Sequence, residues 1–375
     1  MTDATTGEEE TAAMDPTIAM DPTMTSRHGA DEARPVWRPA LFAEPSGNGR
    51  VRCTLCPFRC DLADGRTGVC RVRRNRSGVL ETATFTAAAT HLDAVERKPL
   101  YHVRPGSRVL TVAGPGCTFR CDYCVNHRLS QYGRADGSSW RGAPADAAAL
   151  AARAAEEGAA LGLSYSEPGL APELTLALAE EAEPLGVPIV WKSNGFLTRH
   201  AIRRVAPVLL AVNIDVKAAD EAAHLRLTGA PLRPVLDAVE LFREEGVWVE
   251  VSTPLVPGVS DEPGQLGAIA RTLAAVDPAL PWHLLRFTPD FRMTAESPTA
   301  PSALRTGRDI GEEAGLLHVY VERALGEEGR TTRCPSCRSP LVRRGLWSTT
   351  LNEMSSDACA RCAHPVPGRW GRNDD

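Results

Sequence analysis

From about residue 109 onward, short apolar runs alternate with longer segments of helical composition. Val109–Ala113, Leu161–Tyr165, Val187–Lys192, Leu209–Val216, Val247–Thr253, His283–Phe287 and Leu317–Val321 have strand length. Between them, Ala145–Gly158, Pro172–Ala182, Arg199–Val205, Pro234–Glu245, Glu262–Val276 and Ala303–Ala314 read as helices. Strands alternating with helices predict parallel βα units. Six to seven such units over residues 106–328 are fewer than the eight of a closed barrel, which takes about 250 residues. The expected fold is therefore α/β, a partial, open (β/α)6 TIM-like barrel. In such folds chemistry gathers at the C-terminal ends of the strands.

The flanks follow a different pattern. Residues 1–45 are expected to form a disordered acidic tail. They repeat Met14-Asp15-Pro16-Thr17 as Met20-Asp21-Pro22-Thr23, and they carry eight acids against one Arg through residue 32. Residues 46–105 read as a four-cysteine module with a lead-in to the barrel. Within them, residues 50–76 hold eight Arg and two Asp, and so short a segment has little core unless bound metal staples it. Residues 329–375 read as a zinc ribbon, with Cys334-Pro335-Ser336-Cys337 and Cys359-Ala360-Arg361-Cys362 separated by 21 residues. Arg330, Arg333, Arg338, Arg343 and Arg344 surround it, either as a solvated charged face or as a contact for an acidic partner.

Composition narrows the function. The chain has 375 residues, 43% hydrophobic and 24% charged, as ordinary globular proteins do. A net charge of −5 gives no nucleic-acid signature. No apolar run approaches the length that spans a bilayer, and no secretory pattern opens the chain, so a cytoplasmic protein is expected. The 11 Cys fall into groups of four (Cys53, Cys56, Cys60, Cys70), three (Cys117, Cys121, Cys124) and four (Cys334, Cys337, Cys359, Cys362). An odd number without a secreted context argues against a disulfide framework and for metal or cluster ligation. Only three of the 42 basic residues are Lys, namely Lys98, Lys192 and Lys217. A position that keeps Lys is a candidate for needing a compact ammonium.

Cys117-Thr118-Phe119-Arg120-Cys121-Asp122-Tyr123-Cys124 carries the most information. It follows a strand and a Gly-Pro-Gly turn. Three thiolates on one loop match three irons of a [4Fe–4S] cube, whose usual complement is four Cys. The missing ligand leaves one iron open to a chelating ligand. Alternatively Asp122 or His127 supplies a fourth ligand, and a Cys3His zinc site remains the structural reading. Cys53, Cys56, Cys60 and Cys70 suit either zinc or an auxiliary iron–sulfur cluster.

The three-cysteine spacing, with Tyr123 before the last Cys, resembles the signature of the radical SAM superfamily. Lys98-Pro99-Leu100-Tyr101-His102, Tyr165-Ser166-Glu167-Pro168, Ser193-Asn194-Gly195, Asn213–Lys217, Pro254–Gly258, Pro281-Trp282-His283 and both flanking cysteine modules extend the likeness over about residues 50–370. They resemble the pyruvate formate-lyase activating enzyme-like branch, and within it the AmmeMemoRadiSam system radical SAM enzymes. The resemblance implies a [4Fe–4S] cluster whose open iron chelates the amino and carboxylate groups of S-adenosylmethionine (SAM). It implies reductive cleavage of SAM to methionine and a 5′-deoxyadenosyl radical, which takes hydrogen from a substrate. It further implies a low-potential donor of flavodoxin or ferredoxin type and a protein or peptide substrate.

Strand-end positions supply the partners. Glu167 suits the methionine amino group, or else caps the following helix. Its Tyr-Ser-Glu-Pro context departs from the family's Gly-Gly-Glu. Asn194 and Asp215 suit ribose hydroxyls. Lys192 and Lys217 suit the SAM carboxylate or a substrate acid, with a structural Lys217–Asp215 or Lys217–Glu167 pair as the alternative. Tyr123 is placed with the cofactor contacts, Val256-Pro257-Gly258 near adenine, and His283 and Arg286 toward substrate, with His102 a further candidate. Two other functions compete. One is radical SAM chemistry on a small molecule. The other is a zinc scaffold binding nucleic acid, which would need neither the middle cysteines nor Glu167.

Overall fold

The computed structural model of the chain describes residues 35–134 and 142–371. An eight-stranded sheet forms its centre, with spatial order following chain order. The strands are β1 (Ala89–Ala94), β2 (Arg108–Ala113), β3 (Ala159–Leu163), β4 (Ile189–Ser193), β5 (Ala211–Asp215), β6 (Trp248–Leu255), β7 (Trp282–Arg286) and β8 (Val319–Val321). β1 is antiparallel to β2, and all later neighbours are parallel. Among the described residues no pairing joins β8 to β1, so the barrel is open.

The helices are α1 (Ala147–Glu156), α2 (Pro172–Ala182), α3 (Arg199–Val205), α4 (Glu221–Thr228), α5 (Arg233–Glu244), α6 (Pro263–Val276) and α7 (Pro301–Glu313). α5 shows why such segments fold: Val235, Ala238, Val239, Leu241 and Phe242 fall on one buried stripe. Asp146, Thr198 and Asp220 accept from the amides of Ala149, Ala201 and Ala223 and so fix the starts of α1, α3 and α4. β3 ends two residues earlier than its apolar run. Tyr165 lies beyond it at φ +70°, and its hydroxyl donates to Asp93 Oδ2 at 2.6 Å. No described helix is long and apolar enough to cross a membrane.

The expected acidic tail through residue 34 lies outside the described residues. Residues 38–45, assigned to it by composition, instead carry strands. Arg38–Pro39 pairs with Val79–Thr82, and Ala43–Pro45 with Val51–Cys53. Remote contacts hold them there: the Leu41 amide donates to Glu173 Oε1 at 2.7 Å, and buried Arg73 reaches the same carboxylate at 2.6 Å. The Thr198 hydroxyl donates to Thr54 O at 2.9 Å. The N-terminal module thus packs on α2 and α3 and shares their apolar core.

The ribbon has a separate core, around Cys334, Leu341, Val342, Cys359, Val366 and Trp370. Two of its arginines are not surface charges. Arg344 is fully buried and donates to Arg330 O, Thr332 Oγ1 and Tyr101 O, while Arg330 donates to Glu322 O and Arg344 O.

Glu250, buried on β6, ties the lead-in to the sheet. Its carboxylate accepts from the amides of Tyr101 and His102 at 2.9 and 2.8 Å, from Trp248 Nε1 at 3.1 Å, and pairs with His283 Nε2 at 2.6 Å. His283 therefore faces this carboxylate rather than substrate, and burial lowers its pKa. His102 is likewise structural, bonded to Tyr320 and to Pro367 O. Replacing Glu250 with Leu strands these donors in a dry interior. The variant is expected to lose about 3–5 kcal/mol of unfolding free energy, measured by urea titration.

Candidate active site

A cavity of ≈ 320 Å3 opens at the C-terminal ends of the strands. Cys117, Cys121, Tyr123 and Cys124 enter it from the loop after β2, and Glu167 from the loop after β3. Lys192 and Asn194 come from the end of β4, Asp215 and Lys217 from the end of β5. The structure thus brings these predicted candidates to one place, whereas Val256-Pro257-Gly258, expected near adenine, and His283 do not line the cavity. Arg286, at the end of β7, also lines it.

The three-cysteine loop is held from several sides. Gly116 adopts φ +93°, and a Cβ there would meet Val72 Cγ1 at 2.8 Å, so only glycine lets the loop pass. Arg134 donates to Cys117 O at 2.9 Å and to Phe119 O at 2.8 Å. Asn194 Nδ2 contacts Cys117 Sγ at 3.5 Å, and Ser130 Oγ lies 3.2 Å from Cys124 Sγ. Burial raises all three thiol pKa values, that of Cys121 to about 12. Asp122 and His127 do not line the cavity. Asp122 pairs with Arg292 at 3.1 Å, and His127 stacks on Phe291 and faces Asp290.

Glu167 is 6% exposed. Its Oε1 accepts from the Gly169 amide at 2.8 Å, capping the short turn Pro168–Leu170, and from Ser193 Oγ at 2.6 Å. Oε2 accepts from the Asn194 amide at 2.8 Å. The capping geometry is thus present together with the rim position. These partners are amides and a hydroxyl rather than cations, and burial pushes its pKa up to about 7.

Asp215 has the opposite surroundings. Lys192 Nζ pairs with its Oδ1, and Lys217 Nζ reaches Oδ2 at 2.8 Å. Burial opposes ionisation there, but the two ammoniums prevail and hold the pKa at about 2. Lys192 also donates to Asn213 Oδ1 at 2.7 Å. The Lys217–Asp215 pair is the one formed, and Lys217 also lies 5.7 Å above the Tyr123 ring. Sequence reasoning did not select Arg97, Glu322 or Trp347, which line the mouth. Trp347 comes from the ribbon and sits 5.1 Å from the Arg97 guanidinium, so only the tertiary fold brings it here. Glu322 directly follows β8 and was accessible to the strand-end rule.

Two further cysteine sets lie apart. The ligand atoms of Cys334, Cys337, Cys359 and Cys362 all lie within 4.8 Å of one another, a single-ion arrangement. Cys53, Cys56, Cys60 and Cys70 line a separate small pocket.

An open parallel α/β barrel with a three-thiol loop and paired charges on its C-terminal rim defines a class of metal-cluster enzyme. Comparison with known proteins carries this further. The family profile of the Radical SAM superfamily matches residues 111–266. An uncharacterized protein of Methanocaldococcus jannaschii is 30% identical over 333 residues, covering 88% of this chain and 98% of its own. The isethionate sulfite-lyase activating enzyme of Nitratidesulfovibrio vulgaris is 32% identical over 136 residues, 35% of this chain and 44% of that enzyme. A domain of a pyruvate-formate lyase-activating enzyme from Bacteroides vulgatus superposes with a TM-score of 0.38 at 16% identity, over 43% of this chain and 98% of that one. The chain belongs to the radical SAM superfamily, whose members use a [4Fe–4S] cluster and SAM, and it is an enzyme.

The Glu167 environment predicts a pH dependence. Above the ordinary value of 4.5 the unfolded chain releases a proton that the folded protein keeps until about 7. Folding stability of the metal-free protein therefore falls as pH rises across that window and levels off above it. Glu167→Gln should remove this part of the slope. Urea unfolding of both proteins on either side of the window checks it, and parallel profiles would contradict it.

Proposed function

We propose that Cys117, Cys121 and Cys124 hold three irons of the [4Fe–4S] cluster and leave the fourth for SAM. The observation that carries this reading is the donor set. Three thiols share the cavity, and among the described residues the two candidate fourth ligands weighed from the sequence, Asp122 and His127, engage other partners. Among the described residues the only tight single-ion grouping is the ribbon, so the loop thiols stand farther apart than one zinc ion requires. When bound, the cluster and SAM supply one-electron cleavage of the sulfonium C–S bond, giving methionine and a 5′-deoxyadenosyl radical that takes hydrogen from substrate.

The chain's own residues then bind and orient. Glu167 Oε2, with one protein bond, takes the methionine amino group. Lys192 and Lys217 keep ammonium protons beyond those given to Asp215 and Asn213, and these meet the SAM carboxylate. Asn194 and the outer face of Asp215 suit the ribose hydroxyls, and Tyr123 walls the site. The ribbon cysteines hold zinc. Residues 46–105, joined by 38–45 and giving the barrel its edge strand β1, act as the module, 106–328 as the rest of the barrel and 329–375 as the ribbon, in a reducing cytoplasm that keeps the thiols free.

The substrate is a protein, as for an activating enzyme. Similarity to the isethionate sulfite-lyase activating enzyme supports this, and so does cavity size. Single-ligand sites run about 300–1,000 Å3, so at ≈ 320 Å3 the cluster and SAM leave little room for a separate small substrate. A protruding polypeptide loop meets the mouth at Arg286, Glu322 and Trp347. A low-potential donor of ferredoxin or flavodoxin type completes the system. The subgroup likeness to AmmeMemoRadiSam system enzymes is part of the same reading.

Anaerobically reconstituted protein, reduced with dithionite, is expected to convert SAM to methionine and 5′-deoxyadenosine. Cys121→Ala should lose all cleavage, and Glu167→Ala should bind SAM more weakly at unchanged iron content. Cluster-loaded wild-type protein that leaves SAM intact would overturn the reading. With extract from cells grown in heavy water, deuterium should enter 5′-deoxyadenosine from the protein fraction and not from the dialysable fraction.

A further inference from the structure

Asp93, buried on β1, has no part in the chemistry above, yet it faces the loop that carries Glu167. Its Oδ2 accepts from Lys98 Nζ at 2.6 Å, from the Tyr165 hydroxyl at 2.6 Å and from Thr111 Oγ1 at 3.0 Å. Arg97 and His91 lie 3.0 and 3.1 Å from Oδ1. Lys98 Nζ also sits 4.3 Å from the centre of the Tyr165 ring. Burial opposes ionisation of Asp93, but Lys98 and the other donors outweigh it and hold its pKa below the ordinary carboxylate value. The Tyr165 hydroxyl therefore donates to a charged acceptor, the stronger kind of hydrogen bond.

Tyr165 needs such an anchor. Its φ of +70° costs energy for a residue that carries a Cβ, whereas glycine adopts it freely. Of the described non-glycine residues at positive φ, only Tyr165 lines the cavity. The chain is tied on both sides of it. The Ser164 amide donates to Val112 O at 3.4 Å, and the Glu167 amide to Gly116 O at 3.3 Å, beside Cys117. Ser164, Tyr165, Ser166 and Glu167 all reach the cavity wall. A buried ion pair is a poor stabiliser beside apolar packing, and backbone strain persists only where the surroundings over-determine it. Here both costs fall on the one loop that delivers Glu167.

We propose that Asp93 is a positioning residue for SAM: through the Tyr165 hydroxyl it holds the loop after β3 in a left-handed turn, and that turn sets Glu167 toward the methionine amino group. Lys98 keeps the acceptor charged, and Thr111 fixes its direction. Released from Asp93, Tyr165 relaxes to negative φ, the backbone of 164–167 turns, and Glu167 leaves the place defined by its bonds to Gly169, Ser193 and Asn194. Tyr165 acts through its backbone, since its hydroxyl is engaged by Asp93. The proposal rests on the reading of Glu167 as a SAM contact.

Equilibrium binding of SAM to anaerobically reconstituted protein tests this, with iron content and urea unfolding measured on the same samples. Tyr165→Phe keeps the ring and removes the anchor. It is expected to raise the SAM Kd about tenfold at unchanged iron content, the order of the left-handed penalty of an L residue. Asp93→Asn should weaken binding in the same direction. Tyr165→Gly takes the turn without an anchor, so it should bind SAM within about twofold of wild type while unfolding more easily than Tyr165→Phe. Asp93→Asn/Tyr165→Gly should bind as Tyr165→Gly does, because the effect of Asp93 passes through Tyr165. If the Asp93 variants do not fold, the Tyr165 pair decides. Wild-type affinity in Tyr165→Phe, or a Tyr165→Gly protein that binds as weakly as Tyr165→Phe, would overturn the proposal. So would an equal loss from Asp93→Asn in the glycine background. Failure of the underlying reading looks different: Glu167→Ala would then bind SAM as tightly as wild type.

Discussion

On the proposed reading, the three loop thiols must be held firmly while other donors are kept away. Residues 116–134 meet both demands through backbone bonds. Arg134 spans the carbonyls of Cys117 and Phe119, Gly116 allows a passage that no Cβ would fit, and the Gly116 amide closes onto Leu129 O at 3.0 Å. Asp122 and His127, the nearby side chains able to ligate, are engaged by Arg292 and by Asp290 with Phe291.

The buried carboxylates show how one barrel assigns different tasks to similar groups. Glu250 sits deep on β6 with amide, indole and imidazole partners, and its work is to attach the lead-in. Asp215, at the rim, lies between two ammoniums and stays ionised. Glu167, also at the rim, has amide and hydroxyl partners, so burial raises its pKa and a cationic or amino ligand gains by ionising it. Parallel strands make this sorting possible, because successive strand ends converge on one rim while a residue in a strand interior, such as Glu250, is enclosed by packing on both sides.

The barrel and its rim were legible because local pattern and position determine them. Apolar runs such as Val109–Ala113 and the helical segments Pro172–Ala182 and Arg199–Val205 coincide closely with β2, α2 and α3. Once the strand ends are known, Glu167, Lys192, Asn194, Asp215 and Lys217 follow. What escaped depends on remote contacts. β1 mixes polar and apolar positions and is set by pairing with β2. Residues 38–45 look like tail until Glu173 on α2 engages them. His283 was placed toward substrate because its partner Glu250 lies 33 residues away in sequence. Trp347 reaches the mouth only because the ribbon docks through Arg344 and Tyr101.

An open barrel has two edges and a wide mouth, and the flanking modules account for much of how this one is covered. The N-terminal module lies against the three-cysteine loop and packs on α2 and α3, fastened by Arg73–Glu173. The ribbon joins the other end, where Tyr320 on β8 shares a 2.8 Å hydrogen bond with Thr332, and it sends Trp347 over the cavity. The ribbon has its own core around its cysteines, whereas the N-terminal thiols pack within the core of the barrel. Gly116 packs against Val72 and Cys70 of the N-terminal module, and Trp347 is carried by the ribbon, so the geometry around the loop site depends on two modules that supply none of its thiols.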